Sequence, residues 1–341
     1  MPSLCVTDAE VSMQRSNVIR KFTRTQEFSL VVLLIVMILV FSFVTNGDYL
    51  GMENLTSILN VMVIATFLTI GEAMLILYGV IDLSPGYVGT MCAFIMSIII
   101  TTAGLPWWLG ILGACAAGAL CGLLCAVMVN QLNFQPFIAT LAMYNIAQGL
   151  TYVIPGSTGG TNIYVSDPVI DWLSETKAGI IPVTVFIALA ALIIYGVILS
   201  KTKFGRSIYL CGGNRAAARL AGIKPKKISY ILFINMGFLA AFAGCMYVVR
   251  LKNAQVTGIT MSNFTGITAA ILGGVAFGGG SGTMLGCFLG LLVLNSFNNG
   301  LTFLGVNTYL RTMFSGLILI IALIFDFINK RIRTTGGYRA R

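Results

Sequence analysis

Long apolar stretches, separated by short polar ones, run along nearly the whole chain. The first, SLVVLLIVMILVFSFVT at residues 29–45, follows a polar and basic segment, and no small-x-small cleavage site comes after it. We therefore interpret it as a membrane helix, since about 20 apolar residues are needed to cross a bilayer. The pattern predicts ten membrane helices, at 29–45, 55–78, 86–103, 107–129, 136–154, 180–200, 228–249, 262–278, 283–302 and 309–328.

Two of these stretches, 86–103 and 262–278, are short and flanked by glycine. Each either crosses the bilayer or re-enters from one side, because irregular backbone at membrane depth is tolerated where protein or a water-filled cavity surrounds it. The expected organisation is an N-terminal tail at 1–28, a transmembrane domain at 29–328 and a basic tail at 329–341.

Composition supports a membrane protein. Asp, Glu, Lys and Arg make up only 9% of the 341 residues, whereas a soluble domain has about 25%. This excludes an ordinary cytosolic enzyme or secreted domain. The chain has no histidine, which excludes histidine metal sites and histidine general bases, and we expect no metal site and no cofactor in the chain itself.

The basic residues predict the orientation of the helices. If the N-terminus is cytoplasmic and ten spans alternate, the cytoplasmic side holds four basic residues before the first span, eight in the loop 201–227 and five after the last span. The other side holds only four. By the positive-inside rule both termini are cytoplasmic. The net charge of +10 therefore reflects topology, and nucleic acid is not an expected partner.

Two glycine-rich breaks resemble each other at an offset of 194 residues. YGVIDLSPG at 78–86 aligns with LGGVAFGGG at 272–280, so that Gly79 meets Gly273 and Gly86 meets Gly280. Breaks of this kind in corresponding halves are typical of transporters built from repeats, with the pathway at the interface of the repeats. Chance similarity is the alternative, because glycine-rich breaks are common in membrane proteins.

Glu72 is the ionisable residue that lies well inside a predicted span. An unpaired charge there costs about 2.5 kcal/mol or more. The residue is therefore either a proton or cation site on a pathway, as in a proton-coupled carrier, or a protonated or hydrogen-bonded packing group.

Other polar residues in or beside the spans are candidates for lining a pathway. Amides donate and accept hydrogen bonds without charge, which suits hydroxyl-rich solutes, although they also serve as hydrogen-bonding links between helices. With Glu72, the candidate pathway residues are Asn60, Asp82, Ser84, Asn145, Gln148, Asn295, Asn298 and Asn299. Asn295, Asn298 and Asn299 fall on one helix face by their spacing.

The loop 201–227, KTKFGRSIYLCGGNRAAARLAGIKPKK, predicts a short helix on the cytoplasmic face. Its AAARLA run favours a helix, with Asn214 as N-cap and Gly222 just after the C-terminus. Such a helix is suited to docking into a groove of a partner, and an ordinary basic loop is the alternative.

No pattern in the sequence predicts catalysis. There is no Walker A motif, so the chain does not hydrolyse ATP by the P-loop route. The only aspartates near spans that could form an intramembrane pair, Asp82 and Asp326, both lie at predicted cytoplasmic ends. We expect a transporter component and not an enzyme.

Four motifs resemble those of permease subunits of ABC sugar importers of the ribose/xylose/galactose class, in the superfamily that includes branched-chain amino acid permeases. They are GVIDLSPG at 79–86, FQPFIATLAM at 134–143, FGRSIYLCGGNRAAARLAGIKPKKI at 204–228, and LGGVAFGGGSGTMLG at 272–286 followed by NNGLTFLGV. The resemblance extends from about residue 30 to residue 328. Val80, Pro85, Ala276 and Gly278 depart from the usual family residues and leave the exact solute open.

The resemblance implies an all-α bundle of about ten transmembrane helices, of the vitamin-B12-permease-like (type II) kind, with pseudo-repeat halves. It implies a homo- or heterodimer in lipid in a bacterial plasma membrane, two cytosolic ABC ATPase domains that bind ATP and magnesium, and an extracytoplasmic solute-binding protein. A nucleoside, a signalling furanose or a branched-chain amino acid is the alternative solute.

The resemblance also implies that the segment 205–223 couples the chain to the ATPases. The candidate coupling residues are Arg206, Gly212, Gly213, Asn214, Ala217, Ala218, Arg219, Leu220 and Gly222.

Overall fold

The computed structural model describes residues 26–156 and 161–336, and these form a bundle of helices. The thirteen α-helices in the described ranges are α1 (Gln26–Val44), α2 (Met52–Tyr78), α3 (Pro85–Thr101), α4 (Trp107–Asn130), α5 (Pro136–Gly156), α6 (Pro168–Glu175), α7 (Val183–Lys201), α8 (Lys203–Gly213), α9 (Arg215–Leu220), α10 (Pro225–Leu251), α11 (Ser262–Leu272), α12 (Met284–Phe303) and α13 (Thr308–Gly336). A short 3-10 turn at Asp48–Leu50 joins α1 to α2.

The ten predicted apolar stretches all appear as helices, and the chain is a multi-pass membrane protein of the all-α class. Seven helices in the described ranges are long and apolar enough to cross a membrane, and α3 and the first part of α13 are shorter apolar helices. The stretch 262–278 is helical only as far as Leu272. Its 11 residues span about 16 Å, which is too short for the hydrocarbon core of about 30 Å, so α11 is a half-length helix.

The outer boundaries also differ from the expected tails. Helix α1 begins at Gln26, inside the predicted tail 1–28, and α13 continues to Gly336, inside the predicted tail 329–341. Arg15, Arg20, Lys21 and Arg24 lie outside the described residues.

Helix α2 lies at the centre of the bundle, and every residue from Met62 to Tyr78 is buried. Helix α10 packs beside it, against α3 and α4, through glycines that leave no room for a side chain. A Cβ on Gly122 of α4 would lie 2.1 Å from the Phe233 carbonyl oxygen of α10, and one on Gly244 of α10 would lie 2.0 Å from the Gly89 carbonyl oxygen of α3. Without a hydrophobic driving force between helices in lipid, close backbone packing of this kind holds them together.

One end of the bundle carries four short strands. β1 (Asn162–Tyr164) pairs antiparallel with β4 (Asn253–Gln255), and β2 (Lys177–Ala178) pairs with β3 (Ile181–Pro182). At the same end, Lys252 forms ion pairs with Asp171 at 2.8 Å and Glu175 at 2.6 Å, both on α6. The hydrogen bond to Asp171, followed by that to Glu175, raises the pKa of Lys252 above its ordinary value. Since α7 runs from this end to α8, the loop 201–227 lies at the opposite end.

Candidate functional site

The loop 201–227 folds into two consecutive helices that share a residue. Asn214 ends α8 and is the N-cap of α9, where its side-chain oxygen accepts hydrogen bonds from the backbone N–H groups of Ala216 (2.9 Å) and Ala217 (3.0 Å). This confirms the predicted N-cap and places a short helix where the AAARLA run predicts one.

The end of α9 is also as predicted. Gly222 has a φ of 79°, the Ile223 N–H donates to the Ala218 carbonyl oxygen at 3.0 Å, and the Gly222 N–H donates to that of Arg219 at 3.0 Å. These two bonds form a Schellman motif, which needs a left-handed residue at the position of Gly222. Both ends of α9 are therefore closed by local interactions.

Helix α9 presents most of its surface outward. Ala218 is buried against the bundle, whereas Leu220 is 92% exposed and Arg219 is exposed. A large apolar side chain held this far out on a rigid helix, beside arginines, is suited to a partner's groove. We call α8 and α9 together (203–220) the coupling segment, after the role that the resemblance implies for 205–223. Arg206, Gly213, Asn214, Ala217 and Gly222 are exposed on it or at its end, and Gly212 is half-buried.

The C-terminal end of α8 meets both glycine-rich breaks. The Gly280 N–H of the second break donates a 2.9 Å hydrogen bond to the Leu77 carbonyl oxygen at the end of α2. A Cβ on Gly212 would lie 1.9 Å from that same oxygen and 2.6 Å from the Gly280 nitrogen. We call the meeting point of Leu77, Gly212 and Gly280 the glycine junction.

Side chains add two further ties between the coupling segment and the bundle. The Tyr209 hydroxyl donates to the Gly282 carbonyl oxygen of the second break at 2.8 Å. Burial raises the pKa of the Tyr209 phenol, so the hydroxyl remains a donor at neutral pH. The Arg215 guanidinium lies over the Tyr78 ring, 4.8 Å from its centroid, in a cation–π arrangement that links α9 to the end of α2.

The two breaks begin with the same backbone motif. After α2, Gly79 has a φ of 88° and the Val80 N–H donates to the Leu75 carbonyl oxygen; after α11, Gly274 has a φ of 92° and the Val275 N–H donates to that of Ala270. Both are Schellman endings. By this backbone motif Gly79 matches Gly274, whereas the sequence alignment at offset 194 pairs Gly79 with Gly273.

Three of the candidate pathway residues lie in or beside the first break. Asp82 is 2% exposed, and its Oδ1 accepts hydrogen bonds from the Ser84 N–H (2.8 Å) and the Ser84 hydroxyl (2.6 Å). Glu72 is fully buried with its carboxyl group close to the Asp82 backbone, and neither carboxyl oxygen has a partner at ordinary hydrogen-bond geometry among the described residues. These groups shape the break from inside the protein and do not line an open surface.

The other candidates lie in separate places. Gln148 on α5 donates to the Tyr87 hydroxyl of α3 at 2.8 Å, and one turn away Asn145 is exposed and bonds only its own helix, at the Leu141 carbonyl oxygen. Asn60 on α2 is half-buried. Among the described residues, no hydrogen bond links Asn60, Asn145 or Gln148 to another of the candidates.

The amides of α12 form another group. Asn295 is buried and donates to the Leu291 carbonyl oxygen of its own helix at 3.2 Å. The Asn298 Oδ1 accepts from the Ser315 hydroxyl of α13 at 3.1 Å, and the Asn299 Oδ1 is buried without a partner among the described residues.

Residues on the strand side of the bundle also hold the first break in place, and the sequence does not indicate them. The Asn263 side chain donates to the Leu83 carbonyl oxygen at 3.1 Å, and the Ile259 N–H donates to the Thr90 hydroxyl at 3.1 Å. A Cβ on Gly86 would lie 2.3 Å from the Thr260 carbonyl oxygen. In the sequence, 257–261 lies between two predicted spans and Asn263 lies inside the span 262–278, and nothing local shows that they reach α3.

Comparisons with known proteins match most of the length of this chain to permease proteins. A family model described as the permease component of the branched-chain amino acid transport system matches residues 54–323. The ribose import permease protein RbsC of Escherichia coli strain K12 is 32% identical over 320 residues, which cover 92% of this chain and 97% of the relative.

Two further relatives carry related names. The ribose import permease protein RbsC of Bacillus subtilis strain 168 is 31% identical over 83% of this chain and 87% of its own length. The galactose/methyl galactoside import permease protein MglC of Escherichia coli strain K12 is 28% identical over 90% of this chain and 96% of its own length.

Proposed function

This chain belongs to the family of permease components of the branched-chain amino acid transport system, and we propose that it is the membrane subunit of an ATP-driven importer for a monosaccharide. The chain is a transporter component and not an enzyme. The observation that carries the proposal is the capped, outward-facing helix α9, joined through α8 to both breaks in the membrane domain. A partner that binds α9 can therefore transmit a movement through α8 to the helices that surround the breaks.

The partners follow from this arrangement. Two cytosolic ATPase subunits bind ATP and magnesium and dock on the coupling segment of each permease chain in a dimer, which is surrounded by lipid. The α9 end and both termini face the cytoplasm of a bacterium, in agreement with the basic residues of 201–227 and of the C-terminal segment. A solute-binding protein delivers the solute at the strand end.

The relatives' names support a monosaccharide as the solute. Those named above are import permeases for ribose and for galactose or methyl galactoside, and the uncharged amides of this chain suit hydroxyl groups. Asn145, an exposed amide on α5, is the group we place on the solute path. Asn60, Gln148, Asn298 and Asn299 are further candidates, and the names favour a sugar over a nucleoside or an amino acid.

The docking of α9 is tested with the double variant Arg219→Glu, Gly222→Pro in a complex purified with its ATPase. Proline cannot adopt the φ of 79° at position 222 and has no N–H for the Arg219 carbonyl oxygen. We expect ATP-driven uptake into proteoliposomes to fall by about tenfold or more, together with loss of ATPase co-purification. Lys177→Glu, a charge reversal at the strand end, is the control. Equal uptake by the double variant and the control contradicts the assignment.

The role of Glu72 separates this proposal from a proton-coupled carrier, the function that a buried carboxyl without a partner otherwise favours. Glutamine has nearly the same shape and no charge to bury, so Glu72→Gln is expected to keep ATP-driven uptake within about twofold of the wild type. The measurement is uptake in proteoliposomes with and without a protonophore. Uptake that needs no ATP, stops with the protonophore and disappears in Glu72→Gln establishes the carrier instead.

A further inference from the structure

Backbone, not side chains, makes the contact between α8 and the breaks. At position 212 the Leu77 carbonyl oxygen and the Gly280 nitrogen are so close that a Cβ would lie 1.9 Å and 2.6 Å from them. A Cβ on Gly280 would in turn lie 2.7 Å from the Gly213 Cα. Contacts of this kind cannot be absorbed by a rotamer change, and rigid packed elements shift together and do not deform gradually.

The contact includes both halves of the bundle. Leu77 is the next-to-last residue of α2, before the first break, and Gly280 lies in the second break, four residues before α12. Their 2.9 Å hydrogen bond satisfies a carbonyl that the end of α2 leaves without a helical partner. The end of α8 therefore packs against the hydrogen bond between Leu77 and Gly280, which links the end of α2 to the second break.

The coupling segment is also stiff up to the docking helix. Asn214 is both the C-cap of α8 and the N-cap of α9, so no loop residue lies between the two helices. The Ile208 and Cys211 side chains of α8 are buried, and the Tyr209 hydroxyl holds Gly282. Because no flexible linker lies between α9 and position 212, a displacement of α9 also moves Gly212.

We propose that Gly212 is a positioning residue for transport, which holds the coupling segment on the glycine junction so that a movement of α9 shifts α2 and the second break together. This rests on the proposed function, since it assumes that a partner moves α9. Gly212 touches no solute and acts through Leu77 and Gly280.

The test is Gly212→Ala in the purified complex with its ATPase, with three readouts: co-purification of the ATPase, ATP hydrolysis, and solute taken up per ATP hydrolysed. The alanine methyl pushes α8 off the junction while α9 keeps its caps, so we expect assembly and hydrolysis within about twofold of the wild type and uptake per ATP lower by about tenfold. The control is Gly196→Ala in α7, where a Cβ meets only Met284 at 3.8 Å, and it is expected to match the wild type.

A second pair of variants decides the matter if Gly212→Ala does not fold. Tyr209→Phe removes the hydroxyl bonded to Gly282, and Tyr230→Phe removes a buried hydroxyl that has no hydrogen-bond partner among the described residues. We expect uptake per ATP to fall by about threefold in the first and to stay unchanged in the second.

The outcomes separate this inference from the proposed function. A wild-type chain that neither binds an ATPase nor imports solute refutes the proposed function. A wild-type complex that transports, with uptake per ATP unchanged in both Gly212→Ala and Tyr209→Phe, overturns the role of Gly212. Loss of ATPase binding in a folded Gly212→Ala chain also overturns it, because the residue then acts in docking and not in transmission.

Discussion

Replacing Gly122 with valine is expected to lower the free energy of unfolding by about 3 kcal/mol. Gly122 is one of the points where α4 and α10 are in backbone contact, since a Cβ there would lie 2.1 Å from the Phe233 carbonyl oxygen and 2.9 Å from the Ile234 Cα. Both obstacles are backbone atoms, so the helices must separate to admit the side chain. A Cβ on Gly118, one turn earlier, would lie 2.3 Å from the Gly237 carbonyl oxygen, and this close backbone contact would be lost in the same movement.

The loss should be large because the contact is made of packing alone. In lipid, apolar surface gains little by leaving the hydrocarbon, and helices associate through close van der Waals contact between small residues. A small separation along α4 and α10 therefore removes many contacts without any compensating burial. The measurement is unfolding of the purified chain in a mild detergent, followed by circular dichroism during a denaturant titration.

Gly149→Val on α5 is the matched control for this prediction. Gly149 is a mid-helix glycine like Gly122, but nothing lies within 4 Å of the Cβ it would carry. We expect its unfolding free energy to change by about 0.5 kcal/mol or less, the scale of helix propensity alone. An equal loss in both variants means that valine in a helix, and not the contact with α10, sets the cost.

The parts of the structure that the sequence predicts correctly are those decided by neighbours in the chain. The N-cap at Asn214 and the turn at Gly222 depend on residues within three or four positions, and both are found. The apolar stretches likewise predict membrane helices, because their length and lack of charge favour a position within the bilayer. The sequence does not predict the end of α11, because LGGVAF is as apolar as the helix before it. The left-handed conformation of Gly274 is what ends the helix.

What the sequence could not predict depends on contacts between distant segments. The resemblance places Gly212 among the coupling residues, but its contacts with Leu77 and Gly280, 135 and 68 positions away in the chain, cannot be predicted from the sequence. The same holds for the polar residues in the spans. An amide in an apolar stretch carries no sign of the face it occupies, and so Asn145 on the surface, Gln148 against Tyr87 and Asn295 in the interior look alike in sequence.

Asp82→Ala is expected to lower the free energy of unfolding by about 3 kcal/mol, because two buried donors on Ser84 lose their acceptor. Oδ1 of Asp82 holds both the N–H and the hydroxyl of Ser84, and this fixes the chain just before Pro85 starts α3. The first turn of α3 has no spare room, since a Cβ on Gly86 would lie 2.3 Å from the Thr260 carbonyl oxygen. We therefore also expect ATP-driven uptake to fall by about tenfold or more.

Asp82→Asn separates the geometry of this residue from its charge. The amide keeps an oxygen at the position of Oδ1, so both bonds from Ser84 can persist, and the unfolding free energy should stay within about 1 kcal/mol of the wild type. Unfolding in detergent and uptake in proteoliposomes are measured for both variants. If asparagine keeps the stability but loses uptake as alanine does, the carboxylate itself takes part in transport. If asparagine preserves both, Asp82 acts by shaping the break in which α3 begins.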